Sequence, residues 1–178
     1  MTRLSLLLAT AAIAAASVAT AQTRHDSSAP INFGADHIEL QDKAHRTILA
    51  GNVSVKQAEM TLNAARVTVS YRGEIAGGPS PEAQRIDASG GVIVTRPDQS
   101  ARGQYAVYDL NKRVITMLGG VTLIQAGNTV NGSRLTITLD TGRAVIDGSG
   151  VRGSAPGTAG TTSSGGRVTG TFSVPKRN

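Results

Sequence analysis

A repeated pattern of two small residues followed by an apolar–x–apolar triplet constrains the fold of this 178-residue chain most strongly. It occupies positions 51–55, 90–94 and 119–123, and Gly150 with Val151 begins a fourth, incomplete copy. The triplets begin at Val53, Val92 and Val121, so the copies lie 39 and 29 residues apart. This period, with two strands in each unit, predicts stacked or rolled hairpins that cover one another's apolar faces. The paired glycines predict a β-bulge or bend in each copy.

Alternation of apolar and polar residues predicts an all-β fold. The stretches 67–71 and 135–139 alternate strictly, so each has one buried and one exposed face. Turn-forming Gly, Pro, Asn and Asp residues separate the strand-rich runs, and no stretch carries a persuasive helical period. The runs predicted as strands cover residues 48–55, 60–71, 91–95, 105–110, 114–124 and 134–139.

The register of the repeat assigns one set of apolar side chains to the inside of the roll. These side chains are modest in volume, and only 3% of the chain is aromatic, so a roll that they line need not fill its own interior. A packed β-sandwich core explains the same pattern. The inward-facing set consists of Leu49, Val53, Val55, Leu62, Val67, Val69, Val92, Val94, Tyr108, Leu110, Met117, Val121, Leu123, Leu135 and Ile137.

The first 21 residues have the features of a cleaved signal peptide. Arg3 supplies a basic start, residues 4–18 are apolar or small, and Ala19-Thr20-Ala21 matches the A-x-A cleavage pattern. The alternative is a membrane anchor, but the apolar run is shorter than the ~20 residues that span a bilayer. We therefore expect export and a mature chain that begins at Gln22.

Composition divides the remainder of the chain into four segments. We expect a flexible start at 22–29, a β domain at 30–152 and a Gly/Ser/Thr-rich linker at 153–166. Strand-forming residues return after the linker, which predicts a final edge strand and a basic tail over 167–178.

The formal net charge of +6 points first to nucleic acid or an anionic lipid surface. The basic residues are dispersed and aromatic residues for base stacking are too few, so we expect no nucleic-acid partner. Arginine outnumbers lysine by 14 to 4, and its guanidinium suits phosphates and carboxylates. In an exported protein, this chemistry favours an anionic glycolipid or an acidic partner.

The sequence carries no convincing catalytic or metal-binding motif. Asp140-Thr141-Gly142 follows an apolar strand as in aspartic proteases, but no second half of that pattern appears, so a hairpin turn is the better interpretation. The three histidines form no zinc-ligand spacing, cysteine is absent, and neither a serine nucleophile elbow nor a phosphate loop is present. We expect a non-enzymatic protein without a cofactor or a metal.

Several segments, taken in order, resemble the LptA/OstA-like family of periplasmic lipopolysaccharide-transport proteins. They are PINF at 30–33 with Ala35-Asp36, LAGNVSVKQ at 49–57, LNAARVTV at 62–69, VYDL at 107–110 and LGGVTL at 118–123, followed by 167–169 and 174–175 near the end. The resemblance is continuous from about residue 30 to 146 and returns in the tail. These segments, in this order and at this spacing, are specific to the family, whereas the G-N-V motif alone is not.

The resemblance implies an OstA-like β-jellyroll over 30–152, with antiparallel strands rolled into an open-ended groove. It implies that lipid A acyl chains lie in the groove, while sugars and phosphates stay exposed. The family's lipid contacts carry over to Ile31, Phe33, Tyr108 and Leu110.

The same resemblance implies a periplasmic bridge protein that binds lipopolysaccharide and passes it from the inner to the outer membrane. Its partners would be an inner-membrane lipopolysaccharide ABC-exporter complex, an outer-membrane insertion complex, and further copies of the chain stacked head to tail. A structural or adaptor β-roll of the cell envelope, with a packed interior and no lipid, is the alternative hypothesis.

Overall fold

The computed structural model describes residues 25–73, 81–148 and 167–171. These residues form ten β-strands and one turn of 3-10 helix at Asp42–Ala44. The expected signal peptide (1–21), the linker (153–166) and the fourth repeat copy (150–151) lie outside the described residues. The strands are β1 (Ile31–Gly34), β2 (His37–Gln41), β3 (Arg46–Gln57), β4 (Met60–Arg72), β5 (Glu82–Arg96), β6 (Gln99–Asp109), β7 (Val114–Gln125), β8 (Asn128–Thr138), β9 (Arg143–Asp147) and β10 (Thr169–Thr171).

All ten strands belong to one antiparallel sheet, which confirms the expected all-β class. The hydrogen-bonded order is β1-β3-β4-β5-β6-β7-β8-β10. Each outer position is shared by two short strands: β1 and β2 both pair with β3, while β9 and β10 both pair with β8. Among the described strands, the β1/β2 edge and the β9/β10 edge do not pair with each other, so the roll stays open along a seam.

The predicted bulges are confirmed in all three repeats. The register shifts between Ala50 and Val53 on β3, between Ser89 and Val92 on β5, and between Leu118 and Val121 on β7. Residues 51–52, 90–91 and 119–120 all have positive φ, between 45° and 85°. The bulges fall on alternate strands and divide each long strand into two halves. Apolar side chains from both halves meet in one core.

The fifth strand is longer than the sequence analysis predicts. We expected strand structure at 91–95 after a polar loop, but β5 begins at Glu82. Ile86 and Ala88 are both buried, so period-two alternation already begins before the glycine bulge. The glycine pair at 90–91 interrupts this alternation, because Gly90 stands where its next buried side chain would fall.

The predicted turn at residues 140–142 is confirmed, because it connects β8 to β9. At this turn both carboxylate oxygens of Asp140 accept hydrogen bonds from Arg113, at 3.3 Å. Within the described ranges, no group of three His, Asp or Glu side chains is arranged to hold a metal ion. The same ranges contain no helix with the length and apolarity that membrane crossing requires.

Candidate functional site

Most of the predicted groove residues lie in a closed apolar core. Side chains from the two halves of the sheet pack against each other, and almost no solvent-accessible surface remains between them. The sequence left open whether the interior is a groove or a packed core, and for these positions the structure shows a packed core. They are Leu49, Val53, Val55, Leu62, Val67, Val92, Val94, Tyr108, Met117, Val121, Leu123, Leu135 and Ile137.

The other four predicted residues line a cavity of about 730 Å³. This cavity opens where β1 and β2 meet the adjoining ends of β3, β4 and β5, and its volume is typical of small-molecule sites. Ile31 and Phe33 come from β1, Val69 comes from β4, and Leu110 follows β6. Phe33 is 46% exposed, whereas Val69 is buried, so the cavity runs from solvent into the core.

Several other residues that line the cavity were missed by the sequence analysis. Leu40, Thr47, Tyr71 and Ala83 all contribute to its wall. Tyr71 follows Val69 by two residues, so the repeat register places it on the same face of β4, although it was not among the predicted groove residues. Leu40 is 60% exposed and carries no comparable signal in the sequence.

A buried glutamine and a buried tyrosine meet at the wall of this cavity. Gln57, at the end of β3, is 3% exposed, and Tyr108, near the end of β6, is 1% exposed. The Tyr108 hydroxyl donates a 2.8 Å hydrogen bond to Oε1 of Gln57. Burial raises the pKa of the Tyr108 phenol above its ordinary value of 10.0. The pair joins two strands that are not neighbours in the sheet, and it does so with polar groups shielded from water.

The same glutamine also contacts part of the segment 22–29, which the sequence predicts to be a flexible start. The side-chain amide of Gln57 donates to the carbonyl oxygens of Ser27 at 3.0 Å and Ala29 at 3.1 Å. His25, which we expected to be disordered, is buried, and its Nε2 lies 3.3 Å from Oε1 of Gln57. Residues 25–29 are therefore tied to the body of the fold. Residues 22–24 lie outside the described ranges.

Charged pairs surround the turns near Tyr108. Lys112 lies 3.2 Å from Asp109, and Arg113 lies 3.3 Å from Asp140. The backbone amide of Lys112 donates to Asp109, and this hydrogen bond is the main cause that lowers the pKa of the Asp109 carboxyl. These pairs are exposed to solvent, so they contribute little to stability, and their cations are accessible to other anions.

Both open edges of the sheet carry exposed apolar side chains. On the first edge, Phe33, Ile38 and Leu40 are exposed on β1 and β2. On the opposite edge, Val145 of β9 is exposed, as is Val168 just before β10. Unpaired strands of this kind offer backbone hydrogen-bonding groups to an added strand, and the apolar side chains offer contact area.

Comparisons with known proteins agree with this geometry. The profile of a family described as the LptA/(LptD N-terminal domain) LPS transport protein matches residues 33–143. An uncharacterized protein of Rhizobium meliloti is 30% identical over 165 residues, with 84% of this chain and 88% of that protein covered.

A solved structure shares the fold. It is the crystal structure of LptH, the LptA-homologous periplasmic component of the conserved lipopolysaccharide transport device from Pseudomonas aeruginosa. The TM-score is 0.68 at 21% identity, and the match covers 84% of this chain and 99% of LptH. The similarity confirms the expected jellyroll-like architecture. With a family profile that covers most of the β domain, the chain belongs to the LptA/LptD N-terminal domain family of LPS transport proteins.

Proposed function

We propose that the protein is a periplasmic carrier that binds lipopolysaccharide by its acyl chains and passes it from the inner to the outer membrane. The observation that carries the proposal is the apolar cavity lined by Ile31, Phe33, Val69 and Leu110. Three of these four are positions to which the family resemblance assigns lipid contact. The fourth such position, Tyr108, is hydrogen-bonded to Gln57, which also lines the cavity.

Burial of acyl chain supplies the binding energy. Each methylene removed from water contributes about 0.8 kcal/mol, so about ten methylenes contribute about 8 kcal/mol before the entropy of association is subtracted. Val69, Leu110 and Ile31 provide the apolar part of the wall, while Glu82 and Asn111 line the same cavity with a charged and a polar side chain. Binding of this kind needs no bond making, so the protein acts as a carrier, and the energy for net movement comes from a partner.

The phosphorylated sugars of the lipid would remain outside the cavity, near the charged turns. Lys112 and Arg113 lie beside the end of β6, and of their present carboxylate partners Asp140 is exposed and Asp109 is partly exposed. Exchange of such a partner for a phosphate replaces one charge-assisted contact by another. This position for the headgroup agrees with the excess of arginine in the sequence.

Head-to-tail stacking of copies would extend the path for the lipid between the membranes. The exposed edge of β1 and β2 would pair with the exposed edge of β9 and β10 of the next copy. The same edges would contact the inner-membrane lipopolysaccharide ABC-exporter complex and the outer-membrane insertion complex. The A-x-A signal at Ala19-Thr20-Ala21 supports export and cleavage.

A structural or adaptor role without lipid is the second candidate, and the closed core favours it. Positions such as Val121, Leu135 and Ile137 are fully packed, as a purely structural roll requires. The cavity is the feature that separates the two candidates, since a structural roll has no use for an open apolar site.

Photo-crosslinking tests the proposal. Benzoylphenylalanine replaces Phe33, an exposed aromatic residue of the cavity wall, and in a matched control it replaces Asn32, the preceding residue. Successive residues of a strand point to opposite faces, so only position 33 faces the cavity. We expect a lipopolysaccharide adduct at position 33 and none at position 32.

The outcome that contradicts the carrier is equally specific. If both variants fold, export and yield no lipid adduct, the structural role is favoured. Circular dichroism checks that both variants keep their strand content, so that absence of an adduct is not a consequence of unfolding.

A further inference from the structure

The chain before β1 forms part of the cavity wall and folds into a hydrogen-bonded turn. Residues 25–30, which we call the strap, form a compact turn: the Ser27 amide donates to the His25 carbonyl at 3.1 Å, and the Ala29 amide donates to the Asp26 carbonyl at 3.2 Å. The Asp26 carboxylate accepts hydrogen bonds from the Ser28 backbone amide at 3.0 Å and from its hydroxyl. The strap is therefore shaped by its own hydrogen bonds.

One side chain fastens the strap to the roll. The Gln57 amide reaches two strap carbonyls, those of Ser27 and Ala29, while its oxygen accepts from Tyr108 and lies near His25. Both functional atoms of a buried side chain are thus committed to holding the strap against β3 and β6. Loss of the Gln57 amide would leave the two strap carbonyls, which are partly buried, without their donor.

The strap forms one wall of the space that a ligand of the cavity would enter. Residues 27–30 line the same cavity as Val69 and Leu110. The strap is therefore a wall that forms part of the cavity without being a strand of the sheet.

We propose that the strap competes with the acyl chain for the cavity and that Gln57 is the latch that keeps it closed. This inference rests on the proposed function, since it concerns how the same cavity is opened. A ligand that binds only the strap-open state has its apparent affinity reduced by the fraction of protein that is open. The latch therefore sets how readily a lipid enters.

The chain offers a matched control for the latch. Gln99, at the start of β6, is also a buried glutamine at a hairpin, but its side-chain nitrogen has no hydrogen-bond partner among the described residues. Gln57→Leu and Gln99→Leu thus make the same chemical change at two buried sites, and only the first releases the strap. A third variant keeps Gln57 and replaces residues 25–29 of the full chain by Gly-Ser-Gly-Ser-Gly.

Stopped-flow fluorescence with labelled lipid A measures the association rate for each protein. We expect Gln57→Leu and the glycine–serine variant to bind about tenfold faster than the unaltered protein, a change equal to about 1.4 kcal/mol. Gln99→Leu should bind at the unaltered rate. Hydrogen exchange should quicken at the amides of residues 27–29 in Gln57→Leu and not in Gln99→Leu.

Two failures are distinguishable. If all four proteins bind lipid A at the same rate, the strap does not control entry and this inference is overturned, while the proposed function stands. If none of the four binds lipid A, the proposed function fails and the inference fails with it. Should Gln57→Leu not fold, the glycine–serine variant decides alone, because its latch residue is intact.

Discussion

Substitution of the two glycines of one bulge by alanine should have unequal effects, because only one of them is in close contact with the neighbouring strand. A β-carbon added at Gly119 would lie 2.7 Å from the Cβ of Gln104, whereas one added at Gly120 would meet nothing within 4 Å. Both residues have positive φ, 85° and 66°. Comparison of the two alanine variants therefore separates the effect of the backbone conformation on stability from the effect of the close contact.

The expected magnitudes follow from these two contributions. A left-handed conformation costs an L-residue about 1–2 kcal/mol, which both variants share. The contact at Gly119 adds the penalty for forcing atoms into an occupied site, about 1–3 kcal/mol. Gly120→Ala should therefore lower the free energy of unfolding by about 1–2 kcal/mol, and Gly119→Ala by about 2–5 kcal/mol. Asn52, which holds the second position of the first repeat with a φ of 45°, shows that this position accepts a side chain.

Equilibrium urea unfolding measures the difference. With a slope of about 1–3 kcal/mol per molar urea, an extra loss of about 2 kcal/mol moves the midpoint by about 1 M. The second bulge offers an independent replicate, since a β-carbon at Gly90 would lie 2.7 Å from the Cβ of Ala65 and one at Gly91 would meet nothing within 4 Å. Equal destabilisation at both positions of both bulges would refute the reasoning.

Three further predictions concern the core, the edge and the buried phenol. Met117→Ala should lower the free energy of unfolding by about 2–5 kcal/mol in urea titrations, since Met117 is fully buried; a loss under about 1 kcal/mol would show that the core is not closed there. Ile38→Lys should reduce self-association in sedimentation velocity without changing the strand content, because it places a charge on the exposed β2 edge; an unchanged distribution of species would exclude that edge as an interface. Tyr108 has a raised pKa in the folded protein, so its stabilising effect should be complete below pH 10.0 and decline as the pH rises through the folded-state value. The stability difference between the unaltered protein and Tyr108→Phe should therefore shrink at alkaline pH. Burial also raises the pKa of Tyr71, but Tyr71 is present in both proteins, so its contribution cancels in the difference.

The sequence was most informative where a backbone conformation demands a particular residue. The glycine pairs at 90–91 and 119–120 require positive φ, so the bulges could be placed before the structure was known. Period-two alternation likewise identified the inward faces, because the parity of a strand fixes which side chains share a face. Val67 and Val69 are buried as this parity predicts.

The size of the interior space could not be predicted in the same way. The alternation along a strand predicts which face of the sheet a side chain occupies, but it does not predict how far apart the two facing halves of the sheet lie. Leu135 and Ile137 were assigned to a groove, and they are packed because the opposite half of the sheet comes close to them. The open part of the interior is limited to the region beside β1, where Phe33 and Leu110 lie.

The strap was missed because its fastening uses backbone carbonyls. Every residue has a carbonyl, so nothing in the sequence marks those of Ser27 and Ala29 as hydrogen-bond acceptors. Gln57 did carry a signal: it continues the inward parity of Val53 and Val55. A polar residue at an inward position indicates a buried partner, and that partner proved to be the chain before β1.

Methyl-resolved NMR of the protein with bound lipopolysaccharide tests the central claim most directly. The claim is that acyl chains lie in the cavity beside β1, and Ile31, Val69 and Leu110 provide reporter methyl groups in its wall. We predict nuclear Overhauser contacts between the acyl methylenes and these three residues. Contacts confined to methyl groups on the outer face, such as those of the exposed Ile124, would contradict the claim.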